Sequence, residues 1–347
     1  MRLGSCTLRI DGAASAVAVT LALALLGLSS LSTGQDATIR TTVPLVIVPA
    51  SVTDAHKRSI DGLSADDFVL LDDGVRRRIR VDASDQVIAP LRVVVAIGAS
   101  DVSRSALLKI RKVGIMIPEA VVGANGEAAV LQYDDQVRVT QEFTRNPDAV
   151  KQAFLAVKPS GSTDARMLDA VDKALDMVNS RQGMRRAVIL VIGESKDRGS
   201  KTKLDTLLDK LQRSGTTVYG FSYSAYITPF TTSAGEYEPP NGGYPVDFLF
   251  AIKELARMAK RNAMEALVTT SGGRHLSFET KGKLENDLLA LGQEVHSRYY
   301  ISFTPVETDE PAFHRLKISI QGNPNALVHA RPGYWTGIAE GDPPQSK

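Results

Sequence analysis

Leu91-Arg-Val-Val-Val-Ala-Ile-Gly-Ala-Ser100 is the stretch that decides the reading of this chain. It is an apolar run of strand length, rich in valine, that stops at Gly98 and small polar residues. A run apolar on both faces, rather than alternating, marks a parallel strand covered by helices on each side. Asp101-Val-Ser103 follows, and Ala106, Leu107, Ile110, Val113 and Ile117 then recur at helical spacing. The turn between such a strand and its helix is where open α/β sheets place ligands. The same arrangement recurs at Ala187-Val-Ile-Leu-Val-Ile192, which runs into Gly193-Glu-Ser-Lys-Asp-Arg-Gly-Ser-Lys201. Two strand ends presenting hydroxyls and carboxylates to one crevice define the candidate site.

Outward from these strands, residues 91–297 alternate strand and helix patterns, which implies a parallel sheet with helical crossovers. Glu127–Tyr133 and Val137–Phe143 are joined only at Asp134-Asp135, too short a link for a crossover, so one of them runs antiparallel at an edge. Asn146-Pro147-Asp148 caps a helix through Val157. Leu168, Val171, Leu175 and Val178 line one face of the next. A helix over 202–213, a strand at Thr216–Ser222 and a Gly/Pro/Tyr-rich loop from Tyr223 to Tyr244 follow. Next come a helical stretch over 246–271 ending at Gly272-Gly273, a short strand at Arg274–Phe278 and a helix over 281–296.

Both flanks read as β structure. Thr41–Val52 is β-branched and punctuated by prolines that suit an edge strand. Phe68–Asp72 closes in an Asp73-Gly74 turn, and Arg76–Val81 alternates charged and apolar residues as the return strand of a hairpin, with its arginines on a solvated face. Arg298–Phe303, Arg315–Ile320 and Ala326–Ala330 are strands, with a turn at Asn323-Pro-Asn325. Neither flank alone supplies a comfortable core, so the economical arrangement packs 35–90 and 298–335 together as one β-sandwich interrupted by the α/β domain. Residues 336–347 read as a disordered tail.

With 347 residues the chain can bury a large core, and a net charge of +2 gives nucleic-acid binding no electrostatic support. Arg2 and Arg9 precede the apolar stretch Ala13–Leu31, and Ser32-Thr33-Gly34 supplies small residues for cleavage. Residues 1–34 therefore read as a signal peptide, with an uncleaved anchor as the alternative, and the location as extracytoplasmic: periplasm, cell envelope or secreted. With the signal cleaved, the mature chain has no integral membrane segment. The only cysteine, Cys6, lies in that stretch, so the mature chain is expected to hold no disulfide, zinc-thiolate site or cysteine nucleophile.

With these residues laid out, the chain resembles the von Willebrand factor A-related proteins of exported bacterial type. The resemblance rests on Val52-Thr-Asp54, Gly62-Leu63, Asp67-Phe68 and Asp73-Gly74, on the strand ending at Ser100, and on Gly161-Ser-Thr163. It continues through Glu194–Lys201, Ser271-Gly-Gly273 and Arg331–Tyr334. It implies an α/β fold of von Willebrand A type, a doubly wound, mostly parallel sheet, beside the small β-sandwich built from both chain ends. It also implies a divalent cation at the sheet's carboxyl edge, held by a D-x-S-x-S loop, a threonine and a further aspartate. Hydroxyls and carboxylates suit hard cations such as Mg2+, Mn2+ or Ca2+. By position, Ser100 and Thr163 match, and Glu194 stands where the last aspartate is expected, with Asp101 and Asp197 nearby. The leading aspartate is Gly98 and the second serine is Val102, so two oxygen donors are missing. The expectation is therefore no cofactor, with a weakly held cation as the alternative. In the cation-free reading Ser100 and Thr163 cap the following helices, and Lys196, Arg198 and Lys201 neutralise the carboxylates.

No G-x-G-x-x-G or phosphate loop is present, and Ser100 lacks the G-x-S-x-G setting of a hydrolase nucleophile. Of the five histidines, only His275 falls near the crevice. The sequence thus reads as a non-enzymatic, exported adhesion-type module with a degenerate metal site, making cation-independent contact with a protein partner and not with nucleic acid. Tyr226, Phe230 and Tyr237 in the long loop are the expected partner anchors. The alternatives are a metal-assisted or serine hydrolase using Ser100 and Glu194, and a structural component of the cell envelope.

Overall fold

The computed structural model describes residues 45–55, 58–83, 90–181, 186–223, 262–305 and 312–336. The signal-peptide stretch, Tyr226, Phe230, Tyr237 and the closing tail lie outside the described residues.

The opening stretch forms β5 (Leu91–Gly98), buried along its whole length and paired in parallel with β6 (Glu127–Tyr133) on one side and β8 (Arg186–Gly193) on the other. With β9 (Thr217–Tyr223), β10 (His275–Phe278) and β7 (Val137–Thr144) they make a six-stranded sheet ordered β10-β9-β8-β5-β6-β7. Only β7 runs antiparallel, at the edge, because the Asp134–Gln136 turn is too short for anything but a hairpin. Side-chain alternation along β5 sends Val93, Val95 and Ile97 to one face and Val94 and Ala96 to the other. The first face is covered by α1 (Arg104–Gly114), α2 (Pro147–Ala156) and α6 (Lys281–His296). The second is covered by α3 (Met167–Asn179), α4 (Leu204–Ser214) and α5 (Ala263–Ser271). Two closed apolar layers explain why β5 is apolar on both sides but for Arg92, whose buried guanidinium donates to Glu127 Oε1 (2.8 Å).

The helix ends follow local chemistry. Asn146 Oδ1 accepts from the amides of Asp148 (2.9 Å) and Ala149 (3.4 Å), and Pro147 opens α2 where its missing amide costs nothing. Asn146→Ala is expected to lower stability by about 1 kcal/mol in urea unfolding, and Asn146→Asp to leave it nearly unchanged. Gly272 ends α5 at φ 75°, as the Gly272-Gly273 pair suggested.

Both chain ends build a β-sandwich. One four-stranded sheet has the order β13 (Leu327–Ala330), β1 (Val46–Thr53), β11 (Tyr299–Phe303), β4 (Arg80–Ala83). The other has β14 (Gly333–Thr336), β12 (Ala312–Ile320), β2 (Phe68–Asp72), β3 (Val75–Arg76). Val48, Ala50 and Val52 from the first meet Phe68, Leu70 and Ile320 from the second in a shared core. Phe68 packs edge-on against Tyr299, and Phe303 against Tyr334, across the two layers. Sandwich and α/β part belong to one compact unit, Pro44–Lys347.

Three expectations for the flanks are corrected. β1 is an internal strand, not an edge: β11 pairs along Val46–Ala50 and β13 along Ala50–Thr53. Pro49 is tolerated because β13 begins to pair only at Ala50, so the missing amide faces no partner strand. Arg76–Val81 is not one return strand. The Asp73-Gly74 turn, with both φ angles positive (49° and 83°), leads into only two paired residues, and Arg77–Ile79 carries the chain over to the other sheet. The third is β14, which was not read from the sequence and takes in Thr336, the first residue of the expected tail; the Asn323–Asn325 turn does connect β12 to β13, which lie in different sheets.

Candidate functional site

Three loops meet at the carboxyl edge of the large sheet, and backbone hydrogen bonds lace them together. The Ala99 carbonyl accepts from Ser160 N (2.9 Å), and the Ser162 carbonyl accepts from Asp101 N (2.7 Å). Ala165 and Arg198 exchange both of their amide bonds (3.0 and 2.9 Å). The loops after β5, after α2 and after β8 therefore form one scaffold, which brings Ser100, Thr163 and Glu194 to the same sheet edge.

Side chains extend this scaffold into a directed chain of donors. The Tyr223 hydroxyl donates to Ser103 Oγ, Ser103 lies 3.0 Å from Ser100 Oγ, and Ser100 donates to Glu194 Oε1 (3.3 Å). Burial pushes the Tyr223 hydroxyl well above its ordinary range, which keeps it a donor. From the opposite side the Arg198 guanidinium forks onto both Glu194 oxygens (2.5 and 2.8 Å), while its Nε donates to the Thr163 carbonyl (2.7 Å). Donating these hydrogen bonds to Glu194 raises the pKa of Arg198 further. Ser100 is fully buried, and Glu194 keeps 13% of its side-chain surface.

The remaining expected residues have other duties. Thr163 and Ser100 do not cap the helices that follow them with their side chains. The first amides of α3 are met from the loop after β8 instead: Leu168 N donates to Asp197 Oδ1 (2.9 Å) and Asp169 N to Ser200 Oγ (3.2 Å). Asp197 is locked further by the Ser200 hydroxyl (2.6 Å). Asp169 in turn accepts from the amides of Lys201 and Thr202. Burial opposes charge on Asp169, but these amides outweigh it and hold the carboxyl below its ordinary value. Asp101 pairs with Arg104 (2.6 Å) at the surface, and Thr163 is exposed. Of the three basic residues expected to neutralise the carboxylates, Arg198 is the one placed on Glu194.

Below Glu194, the fully buried Tyr133 ring lies across the ends of β5 and β8. A Cβ built at Gly193 would stand 2.1 Å from Tyr133 Oη, and one at Gly98 would stand 3.1 Å away. The phenol excludes a side chain at Gly193, whereas at Gly98, where the leading carboxylate is missing, it would have to yield by a few tenths of an ångström. Sequence reasoning missed Tyr133, Tyr223 and Ser103 because nothing in their spacing marks them. Their roles come from sheet register.

His275, the histidine singled out from the sequence, lies one strand further along. Its Nε2 is 2.8 Å from Ser222 Oγ and its Nδ1 2.7 Å from Glu265 Oε2, so it ties β9, β10 and α5 together. A cavity of about 370 Å³ lies away from this edge, lined by Leu91 and Arg186 at the starts of β5 and β8, with Pro49, Arg298 and Tyr300.

The strand order β10-β9-β8-β5-β6-β7, the single antiparallel edge strand and the helices on both faces make an α/β fold of von Willebrand factor A type, here joined to a sandwich from the chain ends. No family model and no curated protein matches the sequence. Solved structures resemble it at low identity. One is the von Willebrand factor type A protein from Catenulispora acidiphila, with a TM-score of 0.45, 10% identity, and 86% of this chain and 74% of that one covered. Another is the conserved hypothetical protein BatB from Bacteroides thetaiotaomicron, at 0.41 and 12%, covering 59% of this chain and 97% of that one. A third is proximal thread matrix protein 1 from the mussel byssus with a zinc-occupied MIDAS motif, at 0.43 and 12%, covering 63% of this chain and 48% of that one. Among the described residues no helix is long and apolar enough to cross a membrane.

Proposed function

We propose that the chain is an extracytoplasmic, non-enzymatic protein-binding module that engages its partner at the carboxyl edge of the sheet with no bridging cation. The observation that carries this reading is the Arg198 guanidinium on both oxygens of Glu194. A divalent cation of the kind such edges hold needs about six oxygen donors. Here Gly98 and Val102 offer none, the Ser100 hydroxyl is buried and committed to Glu194, Asp197 is committed to the start of α3, and Glu194 is occupied by a fixed positive charge. The donor set does not fit the ion, and the guanidinium supplies the compensating charge from within the chain. Exposed Thr163, Asp101 and Arg104 rim this closed centre and offer polar contacts to a partner.

A single reporter thiol tests the proposal. With Cys6→Ser in the background, Thr163→Cys carrying a photo-crosslinker should capture a protein from an envelope extract with equal yield before and after chelation. Arg198→Ala, which uncovers Glu194, should reduce the yield. Capture that vanishes on chelation while the far-ultraviolet circular dichroism is unchanged would overturn the cation-free reading.

Ser222, His275 and Glu265 are connected in the order of a hydrolase triad, which favours a second reading, a serine hydrolase centred there rather than on Ser100. Ser222 is only 6% exposed and lies within a strand, not on a sharp turn. A fluorophosphonate probe should leave the folded chain unlabelled. Labelling that disappears in Ser222→Ala and His275→Ala would replace the binding-module reading with the hydrolase.

A further inference from the structure

We propose that Asp72, Asp73 and His314 form a binding site for a divalent cation of the zinc class, set in the β-sandwich and separate from the sheet edge. Asp72 ends β2, Asp73 opens the positive-φ turn, and His314 stands on β12 where that strand runs on past its last pair with β2, Leu316–Asp72. One ligand-capable atom from each residue converges, and all three lie within 4.8 Å of one another.

The hydrogen bonds around the cluster leave these atoms facing inward. Asp72 Oδ2 accepts from Arg77 Nε (2.9 Å) and from the Tyr334 hydroxyl (3.1 Å). Asp72 Oδ1 has no hydrogen-bond partner, although its side chain is 0% exposed, and it points at His314 Nδ1, 4.0 Å away. Asp73 Oδ1 accepts from Arg315 N (2.9 Å), which leaves Oδ2 at 2.8 Å from the same Nδ1. On the far side of the ring, His314 Nε2 is 2.9 Å from Thr336 Oγ1, a hydroxyl that itself donates to the Ala312 carbonyl (3.3 Å). Nε2 is therefore the donor to Thr336, and Nδ1 faces two carboxylate oxygens, Asp73 Oδ2 and Asp72 Oδ1.

That arrangement needs a positive charge at its centre. A buried carboxylate oxygen without a donor is costly, and three electron-rich atoms repel one another. A proton on Nδ1 hydrogen-bonds Asp73 Oδ2 and leaves Asp72 Oδ1 at 4.0 Å, in ion-pair range but with no donor, whereas a cation at the centre binds all three atoms directly. One imidazole and two carboxylates suit a borderline first-row ion such as Zn2+, which takes ligands of both kinds and accepts water in its fourth position. Asp73 retains 46% of its side-chain surface and opens the site to solvent. The outer contacts are those that hold metal ligands in place: Thr336 on the distal ring nitrogen, Tyr334 stacked on the imidazole at 5.1 Å, and Arg77 and Arg315 on the carboxylates. Because 241 residues separate Asp73 from His314, the ion would clasp the two ends of a chain that has no disulfide among its described residues.

The test uses the full chain, stripped with chelator and titrated with Zn2+, with Mn2+ and Ca2+ in parallel. We expect one equivalent of Zn2+ by calorimetry, a rise of several degrees in the unfolding midpoint, and visible ligand-field bands when Co2+ replaces zinc. The partly exposed Asp73→Asn should fold and weaken binding about tenfold or more, and His314→Gln should do the same. Ser100→Ala should leave the zinc stoichiometry and affinity unchanged, whatever it does to overall stability, which separates this site from the sheet edge. Zinc binding that is absent from the wild type, or that is unchanged in both Asp73→Asn and His314→Gln, would overturn the proposal and leave a protonated imidazole as the bridging charge. A shift lost only in Ser100→Ala would instead overturn the cation-free reading of the sheet edge.

Discussion

Glu294→Ala is expected to cost about 3–5 kcal/mol in urea unfolding, the range for removing one partner of a buried ion pair. Glu294 is 2% exposed on α6, with Oε2 2.8 Å from Arg274 Nε. Its Oε1 accepts from Ser51 Oγ in β1 (2.8 Å) and from the Tyr219 hydroxyl in β9 (2.9 Å). One carboxylate thus joins a sandwich strand to the large sheet. Alanine there leaves the Arg274 guanidinium buried without its counter-charge and two hydroxyls without an acceptor. Glu294→Gln keeps the oxygen that Ser51 and Tyr219 use but sets an amide NH2 against the Arg274 guanidinium, so it should recover only part of the alanine loss. Glu294→Met combined with Arg274→Met should recover part of the loss, since an apolar pair of similar volume avoids the buried charges. A loss below about 1 kcal/mol for Glu294→Ala would show that this junction holds by apolar contact alone.

Gly193→Ala should lose about 1–3 kcal/mol, the range for forcing an added carbon into a packed interior. The new Cβ would meet Tyr133 Oη at 2.1 Å, and that ring is 1% exposed with nowhere to retreat. The hydroxyl itself has no hydrogen-bond partner among the described residues, and burial drives its pKa far up. Tyr133→Phe should therefore be neutral or stabilising, because it removes an unsatisfied buried group. The double variant Gly193→Ala with Tyr133→Phe should regain most of the loss, with a coupling of about 1 kcal/mol or more in the mutant cycle. Additive effects would mean that the phenol is not what excludes a side chain at this strand end. The same ring bears on Gly98: the Cβ of an aspartate placed there would stand 3.1 Å from Tyr133 Oη, so restoring the missing carboxylate would require a shift of that ring.

Much of the α/β part was legible because its signals are local. β5 and β8 carry long apolar runs, Asn146-Pro147 and Gly272 mark helix ends by their own backbone chemistry, and the short join at Asp134–Gln136 forces a hairpin. The sandwich was legible only as strands, not as sheets. Which layer a strand joins depends on turns such as Arg77–Ile79 that look the same in sequence whether the chain returns or crosses over. β14 was hidden because Arg331-Pro-Gly reads as a terminator, although Tyr334 and Trp335 directly after it are strand residues. At the sheet edge, Ser100 and Glu194 were found through their place after apolar strands, and Arg198 as one of three equivalent basic residues. Its selection depends on the Ala165–Arg198 bridge, a contact between loops 33 residues apart. The Asp72–Asp73–His314 cluster left no sequence signal beyond an Asp-Gly turn, since its third member comes from the far end of the chain.

The pairing of β1 with β11 and β13, and of β2 with β12, sets an order of events during synthesis. Val46 pairs with Phe303, and Phe68 with Ile320, so neither early strand meets its neighbour until almost the whole chain has emerged. The α/β part can close on its own nearby contacts first, while β1 and β2 wait as unsatisfied edges. Contacts between such distant residues form slowly, and waiting edges invite pairing with other chains. A product truncated before Tyr299 would keep the large sheet and still be prone to aggregate, its earliest strands left open for good.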